Sequence, residues 1–167
     1  MDTNKTLDIL KMAILMERRG LAFYTNVSEQ TKDPEISTVF KVMADEESVH
    51  IKFLSEQFLS FESNKEFSCP NLPKQAQEGI ANMILSDEIK NKLSAVGFEA
   101  AAISAAIDME KKAIEVYSSQ AEVSTDPNEK KLFNWLSDWE KSHLKILNDL
   151  DNELKEKIWY DHQFWPF

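Results

Sequence analysis

The stretch Glu140-Lys141-Ser142-His143 has an earlier counterpart, Glu47-Ser48-Val49-His50, and together the two decide the fold of this chain. In each stretch a Glu precedes a His by three residues, which places both side chains on one face of a helix. Apolar residues recur at alternating steps of three and four on either side, as on the buried face of a bundle helix. The pattern therefore predicts two Glu and two His side chains in core positions.

Both stretches belong to a repeat that spans most of the chain. At an interval of 93 residues the two halves align without a gap, and fourteen positions between residues 9 and 57 are identical. The repeat adds two further acids, Glu17 and Glu110, each in the middle of an apolar seam. It predicts two helical hairpins that are related by a pseudo-twofold axis.

Turn and capping residues divide the chain into segments. Asp33-Pro34 and Asp126-Pro127 each predict the start of a helix, because Asp caps a helix and Pro fits its first position. Ser, Asn and Pro interrupt the pattern after residue 60 and predict a crossover, with a shorter helical piece at about 74–85 and another turn at about 86–93. We expect one all-α domain, a ferritin-like four-helix bundle over 1–167, with hairpin 1 at about 6–60, the crossover at about 61–97, hairpin 2 at about 98–155 and an aromatic tail at 156–167.

Composition restricts the classes of partner and the location. The 167 residues carry a net charge of −10, so neither nucleic acid nor an anionic membrane is expected to bind. The single cysteine, Cys69, excludes an internal disulfide and a cysteine-pair metal site. No apolar stretch is long enough to span a membrane and the N-terminus shows no signal peptide, so we expect a cytoplasmic protein.

Four buried carboxylates require a compensating charge. Each buried ion costs on the order of several kcal/mol, which is large against a domain stability of about 5–15 kcal/mol. Two divalent cations would balance the charge, and oxygen with imidazole ligands suits iron, manganese or zinc better than calcium. The spacing leaves open which Glu bridges the two ions, and no catalytic residue is predicted beyond the ligands. The predicted metal ligands are Glu17, Glu47, His50, Glu110, Glu140 and His143.

Aromatic residues accompany the predicted ligands. Tyr24 and Tyr117 each follow a predicted Glu ligand by seven residues, two turns along the same helix face. We interpret both as hydrogen-bond donors that orient a carboxylate ligand, the alternative being plain core packing. Trp135 and Trp139 are expected to pack in the core or at an interface, and the aromatic tail to fold back on the bundle or bury against a second subunit.

The motifs around these ligands are Met16-Glu17-x-x-Gly20-x-x-Phe23-Tyr24, Asp33-Pro34, Asp45-Glu46-Glu47-x-x-His50, Met109-Glu110-Lys111-Lys112-Ala113-Ile114-Glu115-x-Tyr117 and Glu140-x-x-His143. Together they resemble the rubrerythrin branch of the ferritin-like superfamily. The resemblance implies a di-iron carboxylate centre that reacts with hydrogen peroxide or dioxygen, typically reducing peroxide to water in anaerobes as a defence against oxidative stress.

The chain departs from that family pattern in two places. Full rubrerythrins carry a rubredoxin-like domain with four cysteines that supplies electrons, whereas this chain has one cysteine, so an external electron-donor protein is expected. Rubrerythrins also usually carry an additional Glu one turn after the third-helix ligand. Ala113 occupies that position here, and its mate in the repeat is Gly20. Small residues at both sites would leave room for an oxidant beside the metals.

Three functions are compatible with these observations. The first is a di-iron oxidoreductase acting on hydrogen peroxide or dioxygen, and the second is a ferroxidase or iron-holding protein. The third is a structural or partner-binding bundle that a metal such as zinc stabilises. The long crossover is also compatible with a homodimer in which two chains exchange hairpins.

Overall fold

Four long helices form nearly all of the described part of the computed structural model, which comprises residues 3–68, Leu72 and residues 97–161. The element order and the pairing of neighbouring helices into two hairpins confirm the predicted all-α, ferritin-like four-helix bundle. The helices are α1 (Thr3–Gln30), α2 (Pro34–Asn64), α3 (Phe98–Val123) and α4 (Pro127–Asp161).

Capped turns join the two helices of each hairpin, as predicted. Asp33 accepts hydrogen bonds from the backbone N–H groups two and three residues further on, at 2.9 and 3.2 Å. Asp126 accepts the equivalent pair in the second hairpin, at 2.7 and 3.1 Å. Pro34 and Pro127 are the first residues of their helices. These short turns fix α1 against α2 and α3 against α4 as antiparallel neighbours.

The helices extend beyond the expected boundaries. α1 begins at Thr3 rather than near residue 6, and α4 continues to Asp161, into the segment expected to be a tail. α2 continues to Asn64 and ends where Lys65 adopts a left-handed conformation (φ 61°) and donates its N–H to the Phe61 carbonyl. Ser60, Ser63 and Asn64, which were expected to begin the crossover, therefore belong to α2. The helical piece expected at 74–85, the turn expected at 86–93 and the end of the tail at 162–167 lie outside the described residues.

Apolar side chains form two clusters, one at each end of the bundle. The first takes residues from the second half of α1, the first halves of α2 and α3, and the end of α4. The second takes residues from the opposite halves of the same helices. The six predicted ligands lie at the level between the clusters. Within the described residues no helix is long and apolar enough to cross a membrane. The most deeply buried large side chains include Tyr24, Phe40, Met43, Ile103 and Leu147 in the first cluster and Leu10, Leu54, Tyr117, Leu132, Phe133 and Leu136 in the second.

Candidate metal centre

All six predicted ligands meet in the middle of the bundle. α1 and α3 contribute one acid each, while α2 and α4 contribute a Glu and a His each. No member of the set is more than 3% exposed. We call this set the cage, and its members are Glu17, Glu47, His50, Glu110, Glu140 and His143.

The ligand atoms of the cage form two overlapping groups of four. Within each group, one atom from every residue lies within 4.8 Å of the others. Glu47 and Glu140 belong to both groups, whereas every other member belongs to one. The structure thus distinguishes two shared acids from two terminal acids, a distinction that the spacing alone left open. The groups are Glu17, Glu47, His50 and Glu140, and Glu47, Glu110, Glu140 and His143.

Each histidine directs Nδ1 into the cage. Nδ1 of His50 lies 2.9 Å from Oε2 of Glu17 and 3.0 Å from Oε1 of Glu140. Nδ1 of His143 lies 3.0 Å from Oε2 of Glu140 and 3.5 Å from Oε1 of Glu110. Glu140 therefore lies between the two imidazoles. Among the described residues, the ion-pair partners of the cage carboxylates are histidines.

The two predicted tyrosine donors brace the cage across the hairpins. The Tyr24 hydroxyl on α1 donates to Glu110 on α3, and the Tyr117 hydroxyl on α3 donates to Glu17 on α1. Burial, followed by the charges of nearby carboxylates, raises the pKa of both phenols well above 10, so each remains a donor. Each terminal acid is thereby held in place by a side chain from the opposite hairpin.

Without a metal ion between them, the cage groups compete for protons. Burial and then the charge of Glu140 raise the pKa of Glu110 to about 7. Burial and the neighbouring carboxylates also raise the pKa of Glu47. Burial would lower the pKa of His50 and His143, but the surrounding carboxylates raise both. The pKa of Glu140 is lowered despite its burial, because it lies between the two imidazoles.

The cage has the donors, spacing and charge that a pair of divalent cations requires. Two ligand atoms across one metal ion are separated by up to about twice the metal–ligand distance of ~2.1 Å, which is compatible with atoms that all lie within 4.8 Å of one another. Carboxylates and imidazoles without thiolates suit iron, manganese or zinc. Four carboxylates also balance two divalent charges, and the shared acids can contact both ions.

Behind His143 lie two residues whose contribution the sequence analysis missed. Nε2 of His143 is 2.7 Å from Oε2 of Glu46, and the same oxygen accepts a hydrogen bond from Nε1 of Trp139 at 3.1 Å. Burial alone would raise the pKa of Glu46, but the hydrogen bond and charge of His143 lower it. A signal was present, because the 93-residue interval pairs Glu46 with Trp139 next to a ligand, at a position where the repeat is broken.

The surroundings of His50 are different. Nε2 of His50 is buried and has no hydrogen-bond partner among the described residues. The imidazole instead meets the rings of Trp135 and Trp139 edge-to-face, with centroids 5.4 and 5.1 Å away. The two tryptophans expected to pack in the core therefore pack directly against a predicted ligand.

A cavity of about 150 Å³ lies beside the cage, where the small residues Gly20 and Ala113 lie. A Cβ atom at Gly20 would approach Cδ of Glu47 to 3.1 Å, so glycine lets this acid occupy its position. The exposed residues Arg19 and Lys112 also line the cavity. The space that these two small residues were expected to leave beside the ligands is therefore present. The other lining residues are Met16, Glu17, Tyr24, Met109, Glu110 and Glu140.

Comparison with family models agrees with this geometry. The model of the rubrerythrin family matches residues 8–151, a range that includes all six cage residues. The chain belongs to the rubrerythrin family. The resemblance seen in the motifs is thereby confirmed, and the family match together with the cage supports a dinuclear metal site in a ferritin-like domain. Searches of curated proteins and of solved structures gave no significant match. This rubrerythrin-family chain has one cysteine, so its 167 residues cannot supply the four-cysteine iron site of a rubredoxin-like domain.

Proposed function

We propose that this rubrerythrin-family protein holds two iron ions in the cage and reduces hydrogen peroxide, with electrons returned by a separate donor protein. The observation that carries the proposal is the cavity beside the shared acid Glu47, which provides space for a small oxidant next to the metal ligands. When bound, two ferrous ions supply the two electrons that convert one peroxide and two protons into two water molecules.

The chain's own residues have distinct parts in this scheme. The shared acids Glu47 and Glu140 would hold both ions, and each terminal acid would hold one ion with its histidine. Tyr24 and Tyr117 keep the terminal acids aligned through their hydroxyl groups. Because the cage is buried, each ligand is positioned before the oxidant arrives, and little rearrangement is needed.

The size of the cavity favours a small oxidant. A volume of about 150 Å³ corresponds to only a few water molecules at ~30 Å³ each. Hydrogen peroxide and dioxygen fit that space, which would admit an organic molecule up to about the size of benzene but not a larger one. Gly20 and Ala113 are the residues whose enlargement would reduce it.

The lining of the cavity also bears on the ferroxidase alternative. Four cage carboxylates line the cavity together with the exposed Arg19, and Lys112 is paired with Glu115 at 2.7 Å, so this lining does not exclude the entry of Fe²⁺. The ferroxidase is therefore the second candidate, and the choice of oxidant separates the two. A purely structural metal would need no cavity beside its ligands. The cavity therefore favours oxidant chemistry over simple stabilisation.

The test is anaerobic loading of the metal-free protein with Fe²⁺, followed by separate mixing with hydrogen peroxide and with dioxygen. We expect rapid oxidation by peroxide, with one peroxide consumed per two ferrous ions, and a much slower reaction with dioxygen. Preferential use of dioxygen would favour the ferroxidase, and stable binding without redox turnover would favour a structural metal. Binding of less than one equivalent of any transition metal would overturn the dinuclear centre itself.

A matched pair of variants tests the cavity. Ala113→Leu fills it, while Ala101→Leu makes the same change at an exposed position of α3. We expect Ala113→Leu to slow oxidation by peroxide with an unchanged iron content, and Ala101→Leu to leave the rate unchanged. Equal rates in the two variants would show that the oxidant does not use this cavity.

A further inference from the structure

We propose that the two metal positions of the cage differ in affinity, because Glu46 positions His143 whereas its repeat mate, Trp139, gives the outer nitrogen of His50 no hydrogen bond, nor does any other described residue. The His143 position comprises His143, Glu110 and the shared acids, and the His50 position comprises His50, Glu17 and the same shared acids. This inference rests on the dinuclear centre proposed above, and it does not depend on the oxidant.

At the His143 position the outer nitrogen is fully engaged. Nε2 of His143 lies 2.7 Å from Oε2 of Glu46, while Nδ1 faces the cage. A carboxylate that accepts the outer N–H of a metal-binding imidazole fixes its tautomer, orients its ring and increases its basicity. Glu46 is itself fixed, since its side chain is only 13% exposed and accepts a second hydrogen bond from Trp139. Glu46 is therefore a positioning residue for His143.

At the His50 position the corresponding support is absent among the described residues. Nε2 of His50 is buried without a hydrogen-bond partner, and indole rings pack edge-to-face against the imidazole. These rings restrict the imidazole by packing but offer no carboxylate to increase its basicity. Position 139 corresponds to Glu46 in the repeat, so hairpin 2 carries an indole where hairpin 1 carries the supporting carboxylate.

The remaining contacts of the two positions are closely matched. Each has one terminal acid, one inward Nδ1, one tyrosine hydroxyl on the terminal acid and the same two shared acids. The affinity difference is therefore expected to come from the outer nitrogens. Loss of such a supporting partner typically weakens metal binding by about 10–100-fold. The chain is accordingly expected to fill in two steps, the His143 position first.

The experiment is a calorimetric titration of the metal-free full-length chain with Zn²⁺, which is redox-inert and reports binding alone. We expect two binding steps whose affinities differ by about 10–100-fold. Glu46→Leu and Glu46→Gln should each weaken the tighter step and leave the other step in place. Glu56→Leu, at an exposed acid on the same helix, is the matched control and should leave both steps unchanged.

The reciprocal change tests the opposite direction. Trp139→Glu places a carboxylate behind His50, at the place that corresponds to Glu46, and should tighten the weaker step. Trp139→Gln removes the indole in the same way without adding the charge, and should not tighten it. Circular dichroism of each variant verifies that the helices are retained before the titrations are compared.

The outcomes separate this inference from the proposed function. Two equal steps in the parent chain, or a Glu46→Leu variant that weakens both steps alike, would overturn the inference and leave the dinuclear centre standing. Binding of a single Zn²⁺ would overturn the inference and the dinuclear centre together. Two unequal steps in a protein that does not react with peroxide would support the inference while the proposed function fails.

Discussion

Hairpin 1 (α1 and α2) and hairpin 2 (α3 and α4) present the same ligands, an acid on the first helix and a Glu-x-x-His pair on the second, with different neighbours. Gly20 in hairpin 1 corresponds to Ala113 in hairpin 2, and Glu46 corresponds to Trp139. The ligand types are the same in both hairpins, whereas residues one layer further out differ between them. The comparison shows that the two halves of a symmetric site differ in the residues behind the ligands, not in the ligands themselves.

The largest difference we expect is between shared and terminal acids. Glu47→Ala removes a donor from both ligand groups, so the purified protein should retain well under one metal equivalent. Glu17→Ala removes a donor from one group, and that variant should retain about one equivalent, since the second group keeps its full ligand set. Elemental analysis of the metal-to-protein ratio measures both. Equal metal contents in the two variants would contradict the assignment of shared and terminal acids.

The next difference is in how stability depends on pH with and without metal. In the metal-free chain the pKa of Glu110 rises from 4.5 to about 7 on folding, which corresponds to on the order of 3 kcal/mol. The folded state therefore holds a proton that the unfolded state releases, so metal-free stability falls as pH rises from about 4.5 to about 7. Both histidines have raised folded pKa values, so their contributions are likewise lost as pH rises.

The metal-loaded chain should show the opposite trend. Binding requires deprotonated ligands, so stabilisation by metal increases with pH. The gap in melting temperature between loaded and metal-free protein should therefore widen between about pH 5 and pH 8. The pKa of Glu140 is lower in the folded state than in the unfolded state. Its contribution to stability is therefore complete above the pKa of the unfolded state and does not change over this pH range. Thermal unfolding at several pH values measures the gap, and a gap that stays constant would contradict the assignment of these protons.

The tyrosine braces provide a more balanced comparison. Tyr24→Phe removes the hydroxyl that donates to Glu110, and Tyr117→Phe removes the one that donates to Glu17. Each change should weaken metal binding by about tenfold at the position of that acid. In a Zn²⁺ titration the two variants should therefore affect different binding steps, so each is the control for the other. A loss confined to the same step in both variants would show that the braces do not act locally.

The smallest effect concerns the two small residues of α1 and α3. Ala is favoured over Gly in a helix interior by about 1 kcal/mol, so Ala113→Gly should destabilise the metal-free chain by about that amount. Gly20→Ala should stabilise the metal-free chain by much less than about 1 kcal/mol. The added Cβ would lie 3.1 Å from Cδ of Glu47 and force that acid to move. Denaturant unfolding of the metal-free variants measures both. If Gly20→Ala stabilised the chain by the whole amount expected for a helix interior, Glu47 would be able to move at no cost in free energy.

The ligands and the tyrosines could be located from the sequence because they follow helical periodicity and recur at a fixed interval. A buried Glu in an apolar seam is conspicuous, and Glu17 with Glu110 repeats it. Asp33 also identified the turn between α1 and α2 through ordinary capping chemistry. All of these inferences depend on contacts within one helix or on the repeat, which the sequence contains directly.

The features of the site that the sequence did not predict depend on contacts between the two hairpins. Glu46 lies one residue before a ligand, about 100° around the helix from it, so a pattern based on seams assigns it to another face. Its contacts with His143 and Trp139 are made from α2 to α4. The sharing of Glu47 and Glu140 likewise depends on where carboxylate oxygens lie after the hairpins have packed. Such features require the assembled bundle.

The division of ligands between the hairpins also has a consequence for biosynthesis. Glu17, Glu47 and His50 lie on hairpin 1 and make up three of the four members of one ligand group, which only Glu140 completes from hairpin 2. Because the N-terminal part of a chain is synthesised first, these three donors leave the ribosome before Glu140 does. A metal ion captured at that stage would be in place when α4 arrives, and would serve as the template on which the second half of the protein docks.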